Sequence, residues 1–316
     1  MRRLVALLLL MTLLLGGCAT AAPVEMGEGY YTFSDSAGET VILPKKPEKV
    51  AVLFSSFAEV WLLSGGTVSV TVGESVERGF APVDAVLVDK GAGKTVDLER
   101  LLAEKPDFVI ASADIPAQVD ACVRLKETGI PCALFRVDTF RDYLAMLAIC
   151  TDITGDREAY LRHGEQVAQE IEAILAQVEA LDAPQKDILF IRAGSQYSST
   201  KAKRAPENFV CIMLGELGAH NIADDAPVLL DGLSQEEILL RSPKHIFITT
   251  MGSEDAARQY IGELFEGPLW REVAAVRSGE YTFLPKELFH FKPNGRWAQA
   301  YRYLAECLYP ELKNHE

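Results

Sequence analysis

The sequence predicts an α/β protein of two lobes with mainly parallel sheets, joined by one long connecting α-helix. Three observations predict it. Short apolar runs alternate with helical patterns, as in KVAVLF, AEVWLLSG, FVIA, AQVDACVRLKETG and CALFRV, the signature of β-α units covered on both faces. The pattern restarts at Asp187 with DILFIRAG, NFVCIMLGELG, HIFIT and YTFLP, then closes with a helix from Arg296 to Leu308. Between the halves lies DREAYLRHGEQVAQEIEAILAQVEAL, in which Leu161, Gly164, Val167, Ala168, Ile171, Ile174, Leu175, Val178 and Leu181 recur at helical spacing.

At 316 residues and 49% apolar composition, the chain can bury a large core and has room for about two domains. It begins with Arg2 and Arg3, an apolar run from Leu4 to Leu15, and LGGC ending at Cys18. The run is far short of the roughly 20 residues that span a bilayer, so it reads as a signal-peptide core. LGGC resembles the lipobox of bacterial lipoproteins, which implies a cysteine acylated at the new N-terminus. Two acyl chains suffice for stable anchoring. The polar tether ATAAPVEMGEGYY follows. Without its leader the chain carries a net charge of about −16 in place of −14, a poor match for nucleic acid or anionic lipid.

The remaining elements follow in order. YYTFSD and ETVIL read as a hairpin around Ala37–Gly38. KVAVLF is a buried strand bounded by Pro47, and VSVTVG is a further β-like run. Asp156 can start the connecting helix and Pro184 stops it; at 1.5 Å per residue it is on the order of 40 Å long. It contains no flexible linker composition, so the lobes are expected in nearly fixed relation. The divisions are a signal peptide over 1–18, a tether over 19–29, a first lobe over 30–152, the connecting helix over 153–183 and a second lobe over 184–316. Five cysteines follow Cys18: Cys122, Cys132, Cys150, Cys211 and Cys307. Their odd number and scattered spacing predict buried free thiols, although Cys122 and Cys132 could pair.

One unit occurs twice. VDLERLLAEKPDFVIA from Val96 and LSQEEILLRSPKHIFI from Leu233 align Glu99 with Glu236, Leu102 with Leu239 and Pro106 with Pro243. Asp97 and Ser234 are placed to cap a helix, a proline follows its end, and the apolar run beyond is a strand. Glu99 and Glu236 therefore fall in a first helical turn, on the side of strand C-termini where α/β proteins hold ligands. Complementing the helix dipole would explain one such carboxylate, at about 0.3–1 kcal/mol; its repetition in both halves puts a functional role on an equal footing with that reading.

In lipobox, hairpin, PEKVAVLFSSFAEVWLLSG, the repeated unit and the connecting helix, the chain resembles the substrate-binding lipoproteins of ABC importers for ferric siderophores, heme and cobalamin. The resemblance covers about Tyr30 to Leu312. It implies two Rossmann-like lobes flanking a cleft, braced by a rigid helix (the helical-backbone periplasmic-binding fold). It implies a monomer on the outer face of the bacterial cytoplasmic membrane, delivering a metal chelate to an ABC permease dimer with its ATPase subunits. It also implies that Glu99 and Glu236 dock against permease arginines, which recognise carboxylates bidentately. No resident cofactor is implied; the carried ligand would be a ferric chelate, heme or cobalamin.

Loops leaving strand C-termini should line the cleft: Phe54, Ser55, Ser56 and Phe57; Gly91 to Gly93; Ser112 to Asp114; Arg192 to Thr200, with Tyr197; and Leu288 to Lys292. FSSF offers aromatic faces beside hydroxyls. Lys201, Lys203 and Arg204 form a basic loop suited to an anionic ligand or, equally, to solvent. Phe289, His290 and Lys292 fall where the family brings its last loop to the cleft, and His290 could face iron or cobalt or serve as a hydrogen-bonding wall residue. Trp61 and Trp270 read as core. Five dispersed histidines do not predict a multi-histidine metal site. There is no G-x-S-x-G, no H-E-x-x-H and no phosphate loop, so an anchored hydrolase is the lesser alternative and no catalytic residue is assigned.

Overall fold

The computed structural model describes residues 29–89 and 95–314. The signal peptide, Cys18 and the loop Gly91 to Gly93 lie outside the described residues.

The described residues open with an antiparallel hairpin, β1 (Tyr31–Ser34) and β2 (Thr40–Leu43). Its turn is held by buried Asp35, whose carboxylate accepts from the amides of Ala37 and Glu39, each at 3.0 Å. The same carboxylate accepts from Leu134 N at 3.0 Å, fastening the hairpin to the first lobe. That lobe is a parallel sheet of β3 (Val50–Val52), β4 (Val70–Thr71), β5 (Val86–Leu87), β6 (Phe108–Ser112) and β7 (Cys132–Phe135), in the order β5-β4-β3-β6-β7.

The second lobe repeats the plan with β8 (Lys186–Ala193), β9 (Lys201–Ala202), β10 (Ala219–Asn221), β11 (His245–Thr250) and β12 (Tyr281–Phe283). Its order is β10-β8-β11-β12, all parallel, with β9 antiparallel to β8. Strands β6 and β11 close the two copies of the repeated unit, and both sit inside their sheets. Each is buried at every position, which accounts for their unbroken apolar runs.

The helical brace runs from Arg157 to Ala180, capped at Asp156. It starts later than the expected 153, because Ile153 and Thr154 finish the preceding helix, Phe140–Thr154, which stops at left-handed Gly155. Nor is it α-helical throughout: Leu161–Glu165 is π-helical. The Tyr143 hydroxyl donates to His163 O at 2.9 Å, giving a carbonyl in the widened turn a partner.

One apolar core runs through both lobes, from Val52, Phe57 and Phe108 to Phe190, Trp297 and Tyr301. Trp297, fully buried, meets Phe140 of the first lobe at 6.1 Å and Phe209 of the second at 5.6 Å between ring centroids. Smaller clusters fill the outer side of each sheet. Trp61 and Trp270 are buried as expected.

One expectation is corrected. Cys122 and Cys132 are joined as a disulfide, not free thiols. The helix Pro116–Glu127 turns back directly into β7, bringing their Cα atoms to 5.5 Å, well within bridging range. Cys150 and Cys211 are buried free thiols and Cys307 is a partly buried one.

Candidate ligand-binding cleft

A solvent-open cavity of about 330 Å³ lies between the lobes. Its walls come from the C-terminal ends of strands: Phe54 and Ser55 after β3, Val72 and Glu74 after β4, Ile115 after β6 and Asp138 after β7. From the second lobe come Arg192 on β8, Thr249 and Met251 at the end of β11, and Phe289 to Lys292 after β12. This is where parallel α/β sheets leave backbone groups and loops free to hold a ligand.

Arg192 is the distinctive charge. It is half-buried in the wall, and its guanidinium has no hydrogen-bond or ion-pair partner among the described residues. Burial lowers its pKa from the ordinary value, yet an arginine stays protonated. An unpaired, partly desolvated guanidinium is a strong attractor for an anionic group. Lys292, by contrast, is engaged: it pairs across the lobes with Asp138 at 3.3 Å and lies 4.9 Å from the Phe209 ring centroid.

His290 Nδ1 lies 3.1 Å from Thr250 O. Because a carbonyl can only accept, that nitrogen carries the proton and Nε2 keeps its lone pair. Burial, then nearby Lys286, pushes the His290 pKa down, so the ring is neutral near pH 7. Phe54, Phe209, Phe289 and Phe291 add aromatic surface, and the Ser55 hydroxyl donates to Glu74.

Of the twelve expected cleft residues, Phe54, Ser55, Ser56, Arg192, Phe289, His290 and Lys292 line this cavity. The other five do not. Ser55 and Ser56 begin the helix Ser55–Leu63 rather than a loop, and that turn directs Phe57 into the core, 6.3 Å from Phe135. Ser112 is buried, its amide donating to Gln118 Oε1 at 2.7 Å. Tyr197 is exposed and rests against Gly232. Lys201 lies on β9, and Arg204 stands 3.9 Å from Glu207. The basic loop is thus folded back along β8 and does not gather its charges around the cavity.

Sequence reading missed Val72, Glu74, Ile115, Asp138, Glu207, Asn208, Phe209, Thr249 and Met251. The strand-end rule applied to HIFITTM would have found Thr249 and Met251; nothing local signals Glu207 to Phe209, which β9 returns to the cleft. Glu99 and Glu236 are both exposed in first helical turns, as expected. Among the described residues, no group of three or more His, Cys, Asp or Glu could hold a metal ion, and no helix is long and apolar enough to cross a membrane.

Two like lobes, a shared core and a cleft at the strand ends define a two-lobed solute-binding protein. The chain belongs to the periplasmic binding protein family, whose sequence model matches residues 50–288. It is 22% identical to the ABC transporter substrate-binding lipoprotein YvrC of Bacillus subtilis (strain 168), over 97% of this chain and 96% of that one. In fold it is similar to the petrobactin-binding protein YclQ of Bacillus subtilis, with a TM-score of 0.70 at 17% identity over 88% of this chain and 98% of that one. It is also similar to Staphylococcus aureus SirA, whose structure holds staphyloferrin B, with a TM-score of 0.65 at 17% identity over 90% and 98%.

Proposed function

We propose that this chain is the substrate-binding component of an ABC importer and that it carries an iron chelate of the siderophore type in the interlobe cleft. The observation that carries this reading is Arg192, an unpaired cation in a wall otherwise rich in phenylalanine. An anionic, part-aromatic chelate satisfies both features at once. The petrobactin-binding protein YclQ, SirA with staphyloferrin B and the catecholate-siderophore binding protein VctP of Vibrio cholerae share the fold. His290 favours heme or cobalamin as a second reading, since its Nε2 is left with a lone pair beside the cleft.

In this reading Cys18 anchors the protein to the outer face of the cytoplasmic membrane, and Glu99 and Glu236 each meet one half of the permease dimer. The cleft performs no chemistry. The test is an intrinsic fluorescence titration against ferric hydroxamates, ferric catecholates, heme and cobalamin. Trp297 packs against Phe209 of the cleft wall and should report occupancy. Quenching by one ferric chelate at micromolar concentration or below is expected; silence across the panel would remove the chelate reading.

A further inference from the structure

Beneath the cleft wall lies a charged group that lines no part of the cavity. Arg78 follows the helix Gly73–Glu77, and its side chain is only 9% exposed. Its Nη1 donates to Ser55 Oγ at 3.0 Å and to Ser56 Oγ at 3.4 Å. Its guanidinium carbon lies 3.8 Å from the Phe291 ring centroid and 4.7 Å from that of Phe80. Ser55 and Ser56 belong to the first lobe and Phe291 to the second, and all three line the cavity. One guanidinium therefore holds cleft residues of both lobes.

This arrangement is costly. Arg78 Nε and Nη2 are buried without an acceptor. Glu59 Oε2 stands 3.9 Å away, beyond hydrogen-bond reach. It accepts instead from Asn294 Nδ2 at 2.8 Å, and Asn294 also donates to Ser56 O at 2.8 Å across the lobes. A buried cation with two unfilled donors is a poor way to stabilise a fold. What it supplies is geometry. Nη1 of the planar group fixes both serine hydroxyls, which turns the Ser55 hydroxyl proton toward Glu74, while its face supports the Phe291 ring.

We propose that Arg78 is a positioning residue of the cleft, setting Ser55 and Phe291 in one arrangement across the two lobes before any ligand arrives. The inference rests on the cleft as the binding site and not on the identity of its occupant.

The test is amide hydrogen exchange on the ligand-free full chain, alongside urea unfolding, for Arg78→Met and Arg78→Lys. With Met, exchange at Phe57 to Glu59 and at Phe289 to Phe291 should quicken about tenfold, as expected for losing hydrogen bonds to a charged group. The urea midpoint should fall, because Glu59, 3.9 Å away and 12% exposed, loses its counter-charge, so the local exchange is read relative to the rest of the chain. Lys keeps the charge without fork or plane and should restore only part of the protection. Unchanged exchange at both segments with Met, exchange quickened by the same factor over the whole chain, or full restoration by Lys would each overturn the proposal. None of these readouts uses a chelate, so a failed chelate titration and a failed positioning role are told apart.

Discussion

Lys105 and Ser242 end their helices in the same left-handed backbone conformation, at φ 48°, ψ 57° and φ 48°, ψ 62°. They occupy one position in the two copies of the repeated unit. Their helices are capped by Asp97 and Ser234, which accept from Arg100 N and Glu237 N. Each helix buries one residue fully, Leu101 or Ile238, and leads through a proline into β6 or β11. The likeness of the two units is therefore one of backbone as well as sequence. Neither closing residue is glycine, although that conformation favours it. Lys105→Gly and Ser242→Gly should each raise stability by about 0.5–1 kcal/mol in urea unfolding; a lowered midpoint would show that the side chains contribute more than the backbone strain removes.

Arg192→Gln should weaken binding of the cognate anionic chelate at least about tenfold, the scale of one charge-assisted hydrogen bond. It should also flatten the salt dependence of affinity, measured by fluorescence titration at several ionic strengths. Binding with wild-type affinity and salt slope would mean that the ligand does not reach Arg192.

Alanine at Glu99 and Glu236 should leave chelate affinity unchanged while cellular uptake collapses. Each carboxylate is exposed and in a first helical turn, so little stability is at stake, about 0.3–1 kcal/mol. Normal uptake by the double variant would end the docking assignment.

His245 sets a pH dependence. It is buried, stacks on Phe247 at 4.3 Å and shares a 2.8 Å hydrogen bond with Thr282. Burial pushes its pKa down from 6.5 to about 4. Glu280, 3.5 Å from Nδ1, works in the opposite direction but is largely exposed and is outweighed. Between these two pH values the unfolded chain binds a proton that the folded one refuses, so stability rises with pH. The contribution is intact above about pH 6.5 and lost as pH falls to about 4, a total of about 3 kcal/mol. His245→Gln should flatten this part of the stability curve; an unaltered slope would assign it to other groups.

The Cys122–Cys132 disulfide closes a loop with a sequence separation of 10. Chain entropy predicts about 2–3 kcal/mol of stabilisation. Cys122→Ser with Cys132→Ser should lower the urea midpoint accordingly, and a reductant should lower wild type but not the double variant. Equal response of both proteins to reductant would show that the bridge adds nothing.

The two α/β lobes, the hairpin, the helical brace and the duplicated capped helix are all written in local residue patterns. These depend on short-range physics: apolar spacing, capping side chains, and prolines that stop helices. The ends of strands were legible too, which is why Phe54, Arg192 and His290 could be named. Which of those ends share a cavity depends on how the elements pack. Phe57 directly follows cleft residue Ser56 and Ser112 ends a strand whose following loop reaches the cleft at Ile115, yet packing turns both into the core, and β9 folds Lys201 and Arg204 away from the cavity. The pairing of Cys122 with Cys132 and the burial of Arg78 under Phe291 likewise depend on distances between elements. Periodicity measures spacing along one element, whereas a binding site is made of spacing between several.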